Sequence, residues 1–256
     1  MRSIWKGAIG FGLVNIPVKL YSATQSSTLD LDMVDKRNMG KIRFHRVNEA
    51  TGKEVKWENI GKAYMLDDRY IMLEDEDFEK AAPVKSKIIE VNNFVDESEI
   101  DSIYYENSYY IEPEKSGAKA YALLRDALQK SGKVGVAQFV MRTAEALCAI
   151  KPSGNILVLS KLRFAEEVRS TENFDLPAKT VVKPNELKMA LALIKQFSKP
   201  FHIEKFKDDY SASLLKLIRA KGKGKKIAAP KMKIVYSKQD DLLGQLKASL
   251  SKRKAS

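Results

Sequence analysis

Apolar and polar residues alternate strictly from Val14 to Tyr21, with Val14, Ile16, Val18 and Leu20 on one parity, which predicts a half-buried β-strand. Just upstream, Trp5, Ile9, Phe11 and Leu13 occupy the opposite parity. That switch predicts a bulge or bend near Gly10–Leu13, with Gly7, Gly10 and Gly12 suited to a barrel corner. No helical pattern follows these glycines, so a nucleotide-binding loop is rejected.

A second alternation runs from Lys41 to Val47 and returns over Lys53–Trp57 after the Gly-containing stretch Asn48–Gly52, predicting a hairpin. Ile42 and Phe44 fall on one face, and Lys41, Arg43 and His45 on the other. The expectation is an apolar underside beneath a cationic outer surface. Lys62–Leu66 and Arg69–Leu73 flank Asp67-Asp68 as another hairpin. Further strand signals are Ile88–Val91, Ile103–Tyr105 and Tyr109–Ile111 across a turn at Glu106–Ser108, Val134–Arg142, and Ile156–Leu159 after a turn at Lys151–Asn155. Tyrosines at this density in strands read as core rather than as base-stacking groups.

The period changes to helical at 117–131, where Ala120, Tyr121, Leu124, Ala127 and Leu128 share a face and Gly132 supplies the stop. At least seven strands with hairpin-type links predict an antiparallel barrel or sandwich: a mainly β chain with appended helices, α+β in class. Beyond Lys183-Pro184, Leu187, Ala190, Leu191, Ile194 and Phe197 form one helical stripe. A second helix near 207–221 groups Tyr210, Leu214, Leu217 and Ile218. A last short helix opens on the capping box Ser237–Asp240 and carries Leu242, Leu243, Leu246 and Leu250 on its apolar side. The expected organisation is a core over 1–182, a helical arm over 183–221, a basic linker over 222–236, and a short helix with its tail over 237–256.

Composition then narrows the chemistry. With 45 Lys and Arg against 33 Asp and Glu, the 256-residue chain carries a formal charge of +12, so an anionic partner is expected. Nucleic acid is favoured over membrane, because no apolar run approaches the roughly 20 residues that span a bilayer. The N-terminus lacks a long apolar stretch, and Cys148 stands alone among Ala146, Leu147, Ala149 and Ile150. Both features point to a reducing cytosol and to a buried structural thiol. His45, His202 and one cysteine are too few for a zinc cluster, and no P-loop, nucleophile elbow or His-based triad is present. The acids of Glu74–Glu79 read as the exposed first turn of a helix, although paired carboxylates could also hold Mg²⁺. The residues therefore point to a non-enzymatic nucleic-acid binder without catalytic residues, metal or cofactor. Two alternatives remain at this point: a basic barrel that binds RNA or single strands without end specificity, and a metal-dependent nuclease built on Glu74–Glu79.

Several stretches resemble prokaryotic Ku: Ile4-Trp5-Lys6-Gly7, Phe11–Tyr21, Ile42–Val47, Ala82–Ser86, Tyr121–Arg125, Gly132-Lys133 and Arg163–Arg169. The likeness runs in order along nearly the whole chain. It implies a Ku-type β-barrel and a ring-shaped homodimer that threads onto double-stranded DNA ends. It also implies recruitment of DNA ligase D in non-homologous end joining. On that resemblance the hairpin near 41–66 encircles duplex, with Arg37, Lys41, Arg43, Arg46, Lys53, Lys56, Lys85, Lys87, Arg142 and Lys151 as candidate phosphate contacts. Leu187, Leu191, Ile194, Phe197, Tyr210, Leu214 and Leu217 become the dimer arm, and Leu242, Leu243, Leu246 and Leu250 the ligase contact. The chain closes on Lys252-Arg253-Lys254-Ala255-Ser256 where some bacterial members continue into a Lys-rich tail, so bridging by such a tail is not expected. Arg43 and Arg46 have opposite parities, so a regular strand cannot aim both at one duplex.

Overall fold

The switch of parity at Gly10–Leu13 is a hairpin rather than a bulge. Strand β1 (Trp5–Phe11) ends, Gly12 adopts φ +57°, and β2 (Val14–Ser22) returns antiparallel with Phe11 opposite Val14. A glycine first in a two-residue loop satisfies the left-handed position that such a hairpin requires. The two faces that looked like one bent strand are the inward rows of two neighbours. Ile9 on β1 and Ile16, Val18 and Leu20 on β2 are fully buried.

The computed structural model describes residues 1–81, 87–141, 144–176, 182–225, 244 and 246. Two compact units divide it, one of Met1–Ser26 with Leu31–Ser170 and one of Ser27–Asp30 with Thr171–Ser256.

In the first unit, β3 (Lys62–Leu66) and β4 (Arg69–Leu73) pair only with each other, joined by Asp67 and Asp68 at φ 46° and 58°. Helix α1 (Asp75–Ala81) follows with its acids in the first turn, and the Asp77 carboxylate accepts the Glu74 N–H at 3.0 Å, as expected of an exposed helix start. Then come β5 (Ile88–Asp96), β6 (Tyr105–Pro113), helix α2 (Ala118–Ser131), β7 (Lys133–Met141), β8 (Ala144–Ser153) and β9 (Ile156–Leu162).

Seven strands close a barrel in the order β1-β2-β6-β9-β8-β7-β5. The expected antiparallel pairing holds for every pair except the closing one. There β5 lies parallel to β1, Ala8 opposite Ile88, and the Ala8 N–H donates to the Lys87 carbonyl at 2.8 Å. A parallel neighbour needs a long crossover, and the chain supplies one between β2 and β5.

The expected hairpin across Glu106–Ser108 is instead one continuous strand, β6, whose register against β9 slips between Tyr105 and Ser108. Partners on the barrel hold the polar insertion in place. Glu106 pairs with Lys161 at 2.8 Å and Arg163 at 3.5 Å, and the Arg163 guanidinium donates to the Ile103 and Tyr105 carbonyls. Ile103 and Tyr104 lie in a 3₁₀ turn before the strand.

The core lies inside the barrel and beneath α2. Tyr121, Leu124 and Leu128 of α2 join Ile89, Ile111, Ala137, Phe139, Cys148, Ile150, Leu157 and Leu159 in one buried cluster. The Tyr121 hydroxyl donates to the Ile111 carbonyl at 2.8 Å and accepts the Leu157 N–H at 2.7 Å, so the helix is tied to β6 and β9 together. Gly132, at φ 69°, ends the helix where a left-handed residue is needed. Cys148 is buried as expected, and burial pushes its thiol well above the ordinary range.

The second unit holds α3 (Pro184–Phe197) and α4 (Asp209–Gly222), matching the two expected helices. Pro184 begins α3, and the Asp208 carboxylate caps α4 by accepting the Ser211 N–H at 3.1 Å; hydrogen bonding from the Ser211 side chain and then from its N–H holds the Asp208 pKa below the usual carboxylate range. Neither helix buries a residue fully. No helix among the described residues is long and apolar enough to cross a membrane.

Candidate nucleic-acid interface

Between β2 and β5 the chain leaves the barrel, and no residue from 31 to 81 is buried. Its apolar residues, among them Ile42, Phe44, Trp57 and those of the β3–β4 ribbon, are dispersed among charges and polar turns and none is buried, so the segment has no core of its own. Its local structure comes from short hydrogen-bonded turns. The Asp35 N–H donates to the Gly40 carbonyl, Met39 sits at φ 60°, and Val34 bridges Lys41.

The strand expected over Lys41–Val47 is reduced to isolated bridges, at Lys41 and at Val47 opposite Glu54. The return turn does form. The Asn48 N–H donates to the Lys53 carbonyl, the Val55 N–H to the Arg46 carbonyl, and Gly52 takes φ +66°. Charge alternation mimicked a strand, but no neighbouring sheet pairs with residues 42–46. The expected apolar underside is absent as well, since Ile42 and Phe44 are 47% and 78% exposed.

Between residues 36 and 57 stand seven lysines and arginines against only Glu49 and Glu54. Arg37 is held by a two-pronged pair to Asp35, which lowers the Asp35 pKa and raises that of Arg37. Lys41 reaches Asp32 at 3.2 Å and Lys56 reaches Glu58 at 3.9 Å. Exposed pairs of this kind are weak and exchange readily for another anion. Among the described residues, Arg43 and Lys53 make no ion pair. Arg46 instead lays its guanidinium over the Trp57 ring at 4.6 Å.

The remaining candidates are scattered. Lys87 lies at the β1–β5 seam with its side chain exposed. Lys151, on β8, is paired with Glu97 and stands 5.7 Å above the Tyr105 ring, so its charge is already engaged on the barrel wall. Lys85 and Arg142 lie outside the described residues, as do Leu242, Leu243 and Leu250; Leu246 is helical and half-buried. The structure thus gathers Arg37, Lys41, Arg43, Arg46, Lys53 and Lys56 on one excursion and leaves Lys87 and Lys151 on the barrel.

Two features escaped sequence reasoning. Trp57 and Phe44 are exposed, at 72% and 78%, because the strand that would have covered them does not form. The β3–β4 ribbon bears apolar residues on both faces, Tyr64 with Ile71 on one and Met65 with Tyr70 on the other. Alternation in a hairpin normally marks one wet face; apolar residues on both parities, with Lys62 and Arg69 only at the strand starts, were the available signal.

On the helical arm, Leu187, Leu191, Ile194 and Phe197 are 52–63% exposed, Tyr210 is 75% exposed, and Leu214 and Leu217 are half-buried. Among the described residues no group of His, Cys, Asp and Glu is arranged to hold a metal ion.

Known proteins are similar to this chain in sequence. The family described as the Ku70/Ku80 beta-barrel domain matches residues 10–189. The "Non-homologous end joining protein Ku" of Archaeoglobus fulgidus is 39% identical over 254 residues, covering 98% of each chain. That of Coxiella burnetii is 37% identical over 260 residues, covering 98% of this chain and 95% of the other. The Pseudomonas aeruginosa protein of the same name is 37% identical, covering 98% of this chain and 89% of the other. Among solved structures, the SPOC domain of human PHD-finger protein 3 overlaps 63% of this chain at a TM-score of 0.32 and 13% identity, too distant to carry a conclusion. A barrel of this topology, matched along almost its entire sequence, assigns the chain: it belongs to the Ku family.

Proposed function

We propose that the protein binds ends of double-stranded DNA whatever their sequence, as a ring-shaped homodimer threaded onto the break, and brings DNA ligase D to it. Family members are DNA-end-binding structural proteins rather than enzymes. One observation carries the reading: the excursion between β2 and β5 has no buried residue over 31–81 and concentrates seven cations between 36 and 57. An array of exposed lysines and arginines suits phosphates, which lie at regular spacing on every duplex and carry no base information.

The exposed stripe of Leu187, Leu191 and Ile194 supports a second subunit as the cover for α3. The β3–β4 ribbon, apolar on both faces, is suited to the same contact. Closing two such excursions around a duplex would admit DNA only at an end. The C-terminal stretch 237–256, with Leu242, Leu243, Leu246 and Leu250, is our candidate for the ligase contact.

Linear duplex should bind, and covalently closed circles of equal length should not; equal binding refutes threading. The double change Arg43→Glu with Arg46→Glu should weaken end binding equally across unrelated sequences and flatten its salt dependence. A loss confined to some sequences would overturn the phosphate assignment. Deleting residues 237–256 should spare end binding and reduce stimulation of ligation by purified ligase D.

A further inference from the structure

Helix α2 seals the core with one face and leaves a second apolar face uncovered. Tyr121, Leu124 and Leu128 are buried, yet Leu123 on the same helix is 64% exposed. Beside it, Phe94 of β5 is half open to solvent. The Phe94 ring lies against Gly135, its antiparallel partner on β7, where an added Cβ would stand 3.3 Å from the ring. Phe11 at the end of β1, Phe94, and Leu123, Leu124, Ala127 and Leu128 of α2 line one groove of about 490 Å³. That volume is of the size that accepts a ligand's apolar groups.

Two polar side chains reach the groove, and both are committed. The Ser131 hydroxyl donates to the Leu128 carbonyl at 3.2 Å, and Lys133 pairs with Asp96 at 2.9 Å. Its interior therefore rewards only apolar groups. Charge stands at the rim. Lys119, Leu123, Asp126, Ala127 and Lys130 fall on one helical face, with the lysines one turn before Leu123 and two turns after it. Asp126 is already held by Arg125 at 2.8 Å. Lys119 and Lys130 are exposed and, among the described residues, make no ion pair. An apolar centre bordered by two such cations complements an acidic segment with apolar anchors.

The apolar segments of this chain carry the wrong charge for that rim. The stripe of α3 brings Lys188 and Lys195 against Glu186, and 237–256 brings Lys238, Lys247, Lys252, Arg253 and Lys254 against Asp240 and Asp241. The ribbon is neutral, with Lys62 and Arg69 balancing Asp67 and Asp68. Helix α1 is acidic, but Lys62 already stands 4.8 Å from its Phe78 ring.

We propose that this groove docks a short acidic amphipathic helix of another protein. Its apolar anchors enter between Leu123 and Phe94, while its Asp and Glu side chains meet Lys119 and Lys130. The groove shares no residue with the cationic excursion, so this site goes beyond the end-binding reading and stands or falls separately.

The test selects phage-displayed short random peptides on the full chain without DNA, then titrates the enriched peptides by fluorescence anisotropy. Enriched sequences should carry apolar anchors at helical spacing with Asp or Glu around them. Leu123→Asp should weaken them about thirtyfold, the scale of a central interface anchor. Ala127→Trp, which fills the groove from its own wall, should weaken them as much. Lys119→Glu with Lys130→Glu should weaken them about fivefold, mainly through the association rate, and reverse the salt dependence. All four positions are exposed, so DNA-end binding and oligomeric mass should not change. An empty selection, basic peptides, or peptides that bind Leu123→Asp as well as the wild type overturn the proposal. A smaller oligomeric mass in Leu123→Asp also overturns it, assigning the groove to a second copy of the chain.

Discussion

The barrel and the excursion between β2 and β5 belong to one compact unit, yet they follow opposite rules. The barrel strands alternate and bury one row: Ile16, Val18 and Leu20 are fully enclosed, and α2 seals them with Tyr121, Leu124 and Leu128. Residues 31–81 alternate in places too, but bury nothing. The difference is what stands beneath each row. Each barrel strand has neighbours on both edges and a helix over the core, whereas Lys41–Val47 has only single bridges and β3–β4 only each other. Alternation creates a strand when a partner is present to pair with it. Stability is thus concentrated in one part of the unit and charge in the other.

Substitutions can break that contrast. Leu157→Ala, at a fully buried site beside the Tyr121 hydroxyl, should cost about 3 kcal/mol in urea unfolding. Gly7→Ala should cost about 2 kcal/mol, because a Cβ there would meet the Lys87 carbonyl oxygen and the Trp5 ring and push β5 from β1.

Glu106→Gln should cost about 1 kcal/mol after allowance for screening at a partly exposed pair. It should also change the acid limb of stability. The hydrogen bond from Lys161, with the charges of Lys161 and Arg163, holds the Glu106 carboxyl below its ordinary 4.5. Its contribution is complete above pH 4.5 and is lost as pH falls through the lowered value, so the wild type should lose stability there that the variant does not. Smallest of all, Tyr70→Ser and Met72→Ser on the ribbon should each change unfolding by less than about 0.5 kcal/mol. A ribbon change as costly as Leu157→Ala would show that the excursion has a core after all.

The barrel was legible because its signals are local. Val14–Leu20 announced an inward row, and Gly132 ended α2 where the 3.6-residue period stopped. The misreadings arose where two local structures share one signature. A two-residue hairpin at Gly12-Leu13 and a bulge both flip parity, and Glu106–Ser108 was polar enough for a turn until Lys161 and Arg163 held it within a strand. The closing parallel pair was invisible, since Ala8 and Ile88 meet only through the third dimension.

The candidate interface was legible as a type of surface but not residue by residue. Its cationic composition could be counted, yet whether a cation is free depends on distant partners. Lys151 meets Glu97, 54 positions away. The exposure of Phe44 and Trp57 followed from a strand that did not form, which no alternation of residue types could announce.

The β1–β5 seam has a consequence for cleavage of the chain. The segment before the excursion supplies β1 and β2, the segment after it supplies β5 to β9, and the barrel interleaves them on both sides: β2 beside β6, and β1 beside β5. A protease cutting between Asn48 and Lys53 would leave two polypeptides that denaturing electrophoresis separates but gel filtration does not. The nicked particle would retain its folded core while its charged strap was severed.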